Sequence, residues 1–450
     1  MIRTSILYIF LLALISACGS TQKQNNKASK LTDEQLLDTV QYHTFQYFWD
    51  GAEPTSGAGR ERYHEDNIYP QNDKNTVATG ATGFGIMAII SAIDRGYVSK
   101  ADGTARLNQI LNYLKNAERF HGAWPHWMIG ETGKVKPFSK FDDGGDLVET
   151  SFVAQGLICV KQYFKNGNKK EKELSALADK LWQEIDFDWY RNQKNVLYWH
   201  WSPTNQWKMN LPVRGFNECL IMYVLGAASP VHGISKQVYD EGWAMNGEIK
   251  SPRNYKEINL QFFHQGNAEY GGPLFWSHYS FLGLDPRGLK DAYGDFDIET
   301  KNQTLINYQW CVDNPMNFKG YGAKSWGLTS SYSVKGYEAH APSKVNDLGV
   351  ISPTAALSSI VYTPKESIAA MRYWYENKKE KIWGKYGFYD AFSETDNWYP
   401  KKYLGIDQGP IVVMIENYRS GLLWKLFMSD EDVQKGLKKL EFKSPYLKKL

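Results

Sequence analysis

Three stretches of the chain set carboxylates among apolar residues in patterns suited to proton transfer. The first is Phe141-Asp142-Asp143-Gly144-Gly145-Asp146-Leu147-Val148-Glu149-Thr150, with four acids in eight residues. A helix starting near Asp146 puts Asp146 and Glu149 on one face at i, i+3, with Asp142 just ahead. Capping and the helix dipole account for acids in a first turn, but four exceed what capping requires. The second is Arg214-Gly215-Phe216-Asn217-Glu218-Cys219-Leu220-Ile221-Met222, where Glu218 enters a helix with no charged residue in the next seven positions. Burial disfavours the charged carboxylate and raises its pKa, the property a general acid needs near neutral pH. A buried ion pair with Arg214 is the structural alternative. The third is Leu404-Gly405-Ile406-Asp407-Gln408-Gly409-Pro410, which leads into an apolar helix. Asp407 sits at its mouth, where Pro410 fits the first turn and a plain N-cap is the alternative. Glu416 and Arg419, at i, i+3, read as a structural pair.

The elements around these acids are mostly helical. Thr32 and Gln35 have capping-box spacing before Leu36 to Phe48, and Thr363, Pro364 and Glu366 repeat the device before Ile368 to Asn377. Ser352 and Pro353 open a helix to about Val361. Other helical stretches are 82–95, 107–121, 147–164, 171–184, 216–228, 301–312, 411–427 and 431–440. Several, notably 83–93 and 219–225, are apolar nearly all round and should be buried on every side. Strand signals are sparse: Val196–Trp201 with Gln206–Met209 reads as a hairpin around Ser202–Asn205. No Pro- or Ser-rich linker divides residues 31–450 and no short-period repeat is visible. One all-α domain built as two concentric rings of helices is the simplest packing.

Two connections, residues 51–75 and 230–272, are long for a compact domain, and such loops are usually functional. Non-helical stretches carry Trp124, Trp127, Trp199, Trp201, Trp207, Trp276, Trp326 and Trp398. A Trp on a loop presents a flat apolar face with a polar edge, which suits a sugar ring; plugging the ends of a helical bundle is the alternative. Separated carboxylates and aromatic platforms together suggest glycoside hydrolysis, in which the gap between two carboxyls sets the stereochemistry.

Composition narrows the classes. The 450 residues are 42% hydrophobic, 15% aromatic and 22% charged, which excludes a disordered chain or a coiled coil. The net charge is +3, with no basic block able to track a phosphate backbone, so nucleic acid is not an expected partner. Nine His show no ligand spacing such as His-Glu-x-x-His, and no metal or cofactor is expected. Ile6 to Ile15 form an apolar run after Arg3, too short to span a bilayer but suited to a signal peptide. It ends in Ile15-Ser16-Ala17-Cys18-Gly19, which resembles the lipobox of bacterial lipoproteins. Residues 1–17 are thus expected to be a signal peptide and 18–30 a tether acylated at Cys18, placing the protein at the periplasm or outer membrane of a Gram-negative cell. Cys159, Cys219 and Cys311 sit in apolar company and read as buried small hydrophobes.

Longer motifs carry a family resemblance. Gly272-Pro273-Leu274-Phe275-Trp276-Ser277-His278-Tyr279 followed by Asp285-Pro286-Arg287-Gly288-Leu289 resembles the glycoamylase-like domain of bacterial proteins. So do Asp313-Asn314-Pro315 with Gly320-Tyr321-Gly322, Ser325-Trp326-Gly327-Leu328-Thr329, Ser352-Pro353-Thr354-Ala355-Ala356, and Asp407-Gln408-Gly409-Pro410 with Met414-Ile415-Glu416-Asn417-Tyr418-Arg419. These matches span about residues 210–428, and the N-terminal half, including Asp142 to Glu149, resembles glycoside hydrolase family 144. The resemblance implies an (α/α)6 barrel over residues 31–450 that hydrolyses β-1,2-glucan, linear or cyclic, with inversion, by endo action or by exo release of sophorose. It also implies that the pocket acids are Asp142, Asp146, Glu149, Glu218 and Asp407.

Within that set the apolar setting of Glu218 makes it the expected general acid. Asp407 is the expected base, directly or through water, with Asp142 and Asp146 next. Glu149, Trp276, His278, Arg287, Trp326 and Trp398 are expected to bind substrate. A non-catalytic glycan-capturing lipoprotein, a hydrolase of another glucan linkage and a lyase on the same barrel are the rival classes.

Overall fold

The computed structural model describes residues 30–447; the expected signal peptide, Cys18 and nearly all of the tether lie outside the described residues. Its inner ring is built from Thr79–Asp94, Leu147–Phe164, Leu220–Ala228, Pro353–Leu357 and Gly405–Arg419. Between Leu220–Ala228 and Pro353–Leu357, two short 3-10 turns, Leu274–Ser277 and Tyr279–Phe281, take the remaining place. The ring closes where Gly405–Arg419 packs against Thr79–Asp94. Thr79 to Ile93 and Leu220 to Ala228 are buried along their whole length, as their all-round apolarity demands.

Six amphipathic helices form the outer layer: Asp33–Trp49, Lys100–Asn116, Lys169–Gln183, Phe296–Asp313, Pro364–Asn377 and Glu431–Lys439. Each packs against an inner element and leaves its charged residues at least partly exposed, with Glu171 and Glu299 the buried exceptions among them. This is the expected double ring, an (α/α)6 barrel. Cys159, Cys219 and Cys311 are buried and free.

The inner helices approach closely because small residues line their crossing. A Cβ at Gly83 would collide with the main-chain carbonyl of Phe152, and one at Gly156 would lie 2.7 Å from the carbonyl oxygen of Gly83. Each glycine gives up helix propensity to admit the other backbone.

Short strand pairs pin the loops over one end of the ring. Arg62–His64 pairs with Lys402–Leu404, Thr76–Ala78 with Trp127–Ile129, and Gly145–Asp146 with His200–Trp201. Ser330–Ser333 and Gly336–Ala339 form a hairpin at the same end. The expected hairpin of Val196–Trp201 with Gln206–Met209 reduces to one bridge, Ser202 to Gln206. Its strand pairs instead with Gly145–Asp146, since the bare Cα atoms of Gly144 and Gly145 admit Trp201 and Tyr190. A second unforeseen hairpin, Lys250–Tyr255 with Ile258–Phe262, structures part of the long 230–272 connection.

Local signals fared unevenly. The Thr32–Gln35 capping box forms. Pro364 opens its helix, but Thr363 makes no capping bond and instead contacts Ser359 and Ser367. The helix from Pro353 ends at Leu357, short of Val361. Leu220, not Phe216, starts its helix, because the Asn217 side chain accepts from the Cys219 N–H at 2.8 Å and holds a turn ahead of it.

Gly83→Ala should gain intrinsic helix propensity, about 1 kcal/mol, yet lose about 1–3 kcal/mol net through overpacking against Phe152. Urea unfolding measures the sign; a more stable variant would mean that the two helices are not in backbone contact.

Candidate active site

The N-terminal ends of the inner elements surround a cavity of about 270 Å³. Its walls include Glu61, Arg62, His126, Glu149 and Glu218, interleaved with aromatic side chains such as Trp127, Phe152, Trp199, Phe275, Tyr279, Tyr332 and Tyr337. Acids at the starts of several inner helices therefore converge on one volume, although they are far apart in sequence.

Glu218 lies in the turn before Leu220–Ala228, its carbonyl oxygen held by the Ser280 hydroxyl. Its Oε2 is buried and has no hydrogen-bond partner. Burial pushes this carboxyl up to about 8, with smaller contributions from Glu149 and Asp146, against a lowering contact with its own main chain. The alternative ion pair with Arg214 does not form: that guanidinium donates to the carbonyls of Glu241 and Gly242 at 2.7 and 3.3 Å. Glu218 is thus a protonated carboxyl at neutral pH, facing the cavity with a free oxygen.

The Asp142–Glu149 stretch builds a different arrangement. Asp146 caps the helix by accepting from the Glu149 N–H at 2.9 Å, and its other oxygen accepts from Trp199 Nε1 at 2.9 Å and His126 Nδ1 at 2.8 Å. With both oxygens engaged, Asp146 positions its neighbours and does not line the cavity. Burial alone would lower the His126 pKa, but Glu149, Asp146 and Asp142 together push it up to about 10. An imidazolium therefore lies in the wall, stacked on Phe138 with ring centroids 4.2 Å apart. Glu149 reaches the cavity and accepts from the Gly80 N–H at 2.6 Å; burial holds its pKa above the ordinary carboxylate range. Asp142 sits behind His126, 3.8 Å from Nδ1, and 3.3 Å from His200 Nε2, and burial raises its pKa too. His126, Asp142 and Asp146 are close enough to share a cation, a grouping that spacing along the chain did not reveal. Here both Asp146 oxygens already accept hydrogen bonds, and the positive charge beside the two acids is the imidazolium.

Asp407 stands in the first turn of Gly405–Arg419 but caps nothing; Leu404 holds the N-cap position. Its carboxyl is 1% exposed and is set behind Tyr279, whose hydroxyl donates to Oδ1 at 3.3 Å. The Thr354 hydroxyl donates to its main-chain oxygen at 2.7 Å. Asp407 thus communicates with the cavity through the face that Tyr279 shows it. The Leu220–Ala228 and Gly405–Arg419 elements are three places apart in a ring of six, so Glu218 and Asp407 come from opposite sides of the barrel. Farther down that helix, Glu416 pairs with Arg95 at 2.6 Å rather than with Arg419, which turns to Glu34 and Asp38.

Five expected substrate-binding residues lie elsewhere. Trp326 is fully buried in the core, its ring edge-on to Tyr308. His278 is buried, 2.9 Å from the Ser359 hydroxyl, and desolvation lowers its pKa to about 3. Arg287 clamps Asp285 over the Trp424 ring near Gly421, at the far end of the 405–419 helix from Asp407. Trp276 packs by Gly272 and His264. Trp398 closes a turn with Ser393. The cavity takes Phe275 and Tyr279 from the same segment instead, four residues apart on one side of the 3-10 turns. Sequence reading passed over His126, Tyr279, Glu61 and Arg62. His126, inside Trp124-Pro125-His126-Trp127, and Tyr279, at the end of the Gly272–Tyr279 motif, carried local signals; Glu61 and Arg62 did not.

Comparison with known proteins follows the same lines. The glycoamylase family model matches residues 210–431. The chain is 64% identical to the endo-β-1,2-glucanase from Chitinophaga pinensis, solved with sophorotriose and glucose, over 93% of this chain and 100% of that one, with a TM-score of 0.92. It is 43% identical over 427 residues to the exo β-1,2-glucooligosaccharide sophorohydrolase (non-reducing end) of Parabacteroides distasonis, covering 91% of this chain and spanning 58% of that protein's length. An endo-β-1,2-glucanase from Talaromyces funiculosus, 13% identical with a TM-score of 0.64 over 91% of this chain and 88% of that one, shares the fold. The chain belongs to the glycoamylase-like family of the Chitinophaga enzyme, glycoside hydrolase family 144.

Proposed function

We propose that the protein hydrolyses β-1,2-glucan by endo action with inversion. The observation that carries this reading is the free, protonated Glu218 carboxyl in an aromatic cavity, a group suited to protonating a glycosidic oxygen. A protein that only captures glycans has no need of such an acid. Likeness to an endo-acting enzyme through its full length supports endo over exo action.

In this reading Glu218 gives its proton to the leaving oxygen. Asp407, set back in the opposite wall, takes a proton from the attacking water, directly or through a second water, as the water oxygen bonds to the anomeric carbon. One water is consumed, one proton is given and one is received, and the two acids exchange their protons with solvent between turnovers. Inverting enzymes hold their carboxyls about 6.5–9.5 Å apart to admit that water, which suits groups from opposite sides of a ring. His126, Trp127 and Trp199 present a charge and flat faces to the sugar. We also propose export, with acylation at Cys18 anchoring the enzyme to the membrane.

Glu218→Gln is expected to lose about 10²–10⁴-fold in kcat on linear β-1,2-glucan while still binding oligosaccharide; near-wild-type turnover removes Glu218 from the mechanism. Sizing of the wild-type products should give a ladder, and sophorose alone would mean exo action. Because Glu218 must be protonated to act, kcat/KM should fall as pH rises through about 8, a limb absent from any residual activity of Glu218→Gln. Cys18→Ala should move the protein from the membrane to the soluble fraction on detergent partition, and unchanged partition would refute the anchor.

A further inference from the structure

We infer that Asp390 is a positioning residue for Asp407: the two buried carboxyls hold one proton between them, and that shared proton fixes the charge and aim of the Asp407 oxygen at Tyr279. The inference rests on the reading of Asp407 as the base.

Asp390 follows the Gly387–Phe388 strand and is 1% exposed, as is Asp407. Its backbone is tied on both sides: its N–H donates to the Lys402 carbonyl at 2.9 Å, and its carbonyl accepts from the Ser352 hydroxyl at 2.7 Å. Its Oδ2 accepts from the Tyr332 N–H at 2.8 Å, while its Oδ1 is buried and has no donor. Asp407 repeats the pattern, with Oδ1 served by Tyr279 and Oδ2 buried without a donor. One turn holds both residues, the Ser352 hydroxyl donating to the Asp390 carbonyl and the Thr354 hydroxyl to the Asp407 carbonyl, each at 2.7 Å, and each carboxyl acts on the other as a hydrogen-bond partner. Two ionised carboxylates so placed would leave two orphaned oxygens and a bare repulsion in a dry wall. One proton between them satisfies both, as in other carboxyl pairs that share a site.

The groups facing the pair do not supply an alternative. Glu61 adds a like charge; Arg62 lowers the Asp390 pKa but is shared with Glu61 at 3.3 Å and Asp73 at 3.8 Å, and the Lys402 ammonium lies over the Tyr332 ring, 5.5 Å from its centroid. Tyr279 and Tyr332 flank the pair with phenols that stay neutral, their pKa values raised by burial. Burial likewise holds both carboxyls above the ordinary range. Tyr332, whose N–H anchors Asp390, belongs to the hairpin that carries Tyr337 to the cavity. Asp390 therefore links the base to the loop above it.

Asp390→Asn keeps the shape and a donor but removes the shareable proton and the like charge. The acid-side midpoint of the kcat/KM profile should move down by about one pH unit or more, with the basic limb unmoved. A merely structural role would lower the plateau without moving the midpoint, and an unmoved midpoint in folded Asp390→Asn overturns the inference. Infrared spectra of protein with labelled aspartate carboxyls supply a readout independent of turnover. At neutral pH, Asp390→Asn and Asp407→Asn should each show one protonated aspartate fewer than wild type. An unchanged count in either variant overturns the shared proton, and Asp407→Asn serves alone if the other variant does not fold. If Asp407→Asn hydrolyses glucan normally while the count drops, the pair stands and it is the assignment of the base that fails.

Discussion

Everything in the site depends on the cost of ionising a carboxyl inside a wall of apolar inner helices. The N-terminal ends of those helices favour negative charge by about 0.3–1 kcal/mol each. Raising a carboxyl's pKa by one takes about 1.4 kcal/mol, and Glu218 rises from the ordinary carboxylate range to about 8. Burial therefore outweighs the dipole, and the acid remains neutral at an end of the barrel that would otherwise favour its charge.

The acids gathered there differ by the company they keep. Asp146 has both oxygens engaged by Glu149, Trp199 and His126 and holds the frame. Glu149 spends one oxygen on the Gly80 N–H, where the absence of a side chain allows the approach. Glu218 keeps an oxygen free, and Asp407 meets Asp390. In the proposed mechanism one chemical group at several positions thus serves as frame, wall, donor and base, sorted by burial and by hydrogen-bond supply. The short strand pairs make this possible, because they bring Glu61 beside Leu404 and Trp199 beside Asp146 from distant parts of the chain.

Much of this was legible in the sequence. All-round apolarity marked the inner helices, and the uncharged run after Glu218 marked its burial. Asp407 stood out for the same reason, although its N-cap alternative proved empty. The start of the Glu218 helix was misplaced because the Asn217 turn competes locally with helix. Trp on a loop proved an uneven guide: Trp127 and Trp199 line the cavity, whereas Trp276 packs against Gly272 and Trp326 is fully buried. Tyr279 and Asp390 could not be found from periodicity: each matters through what it meets across the ring.

The central claim is that Glu218 is a neutral acid at working pH. Carbon-13 NMR titration of the glutamate carboxyls, with Glu218 assigned by the signal missing from Glu218→Gln, measures it directly. A midpoint near 8 is the result this account requires; titration in the ordinary glutamate range, about 4.3, would contradict it.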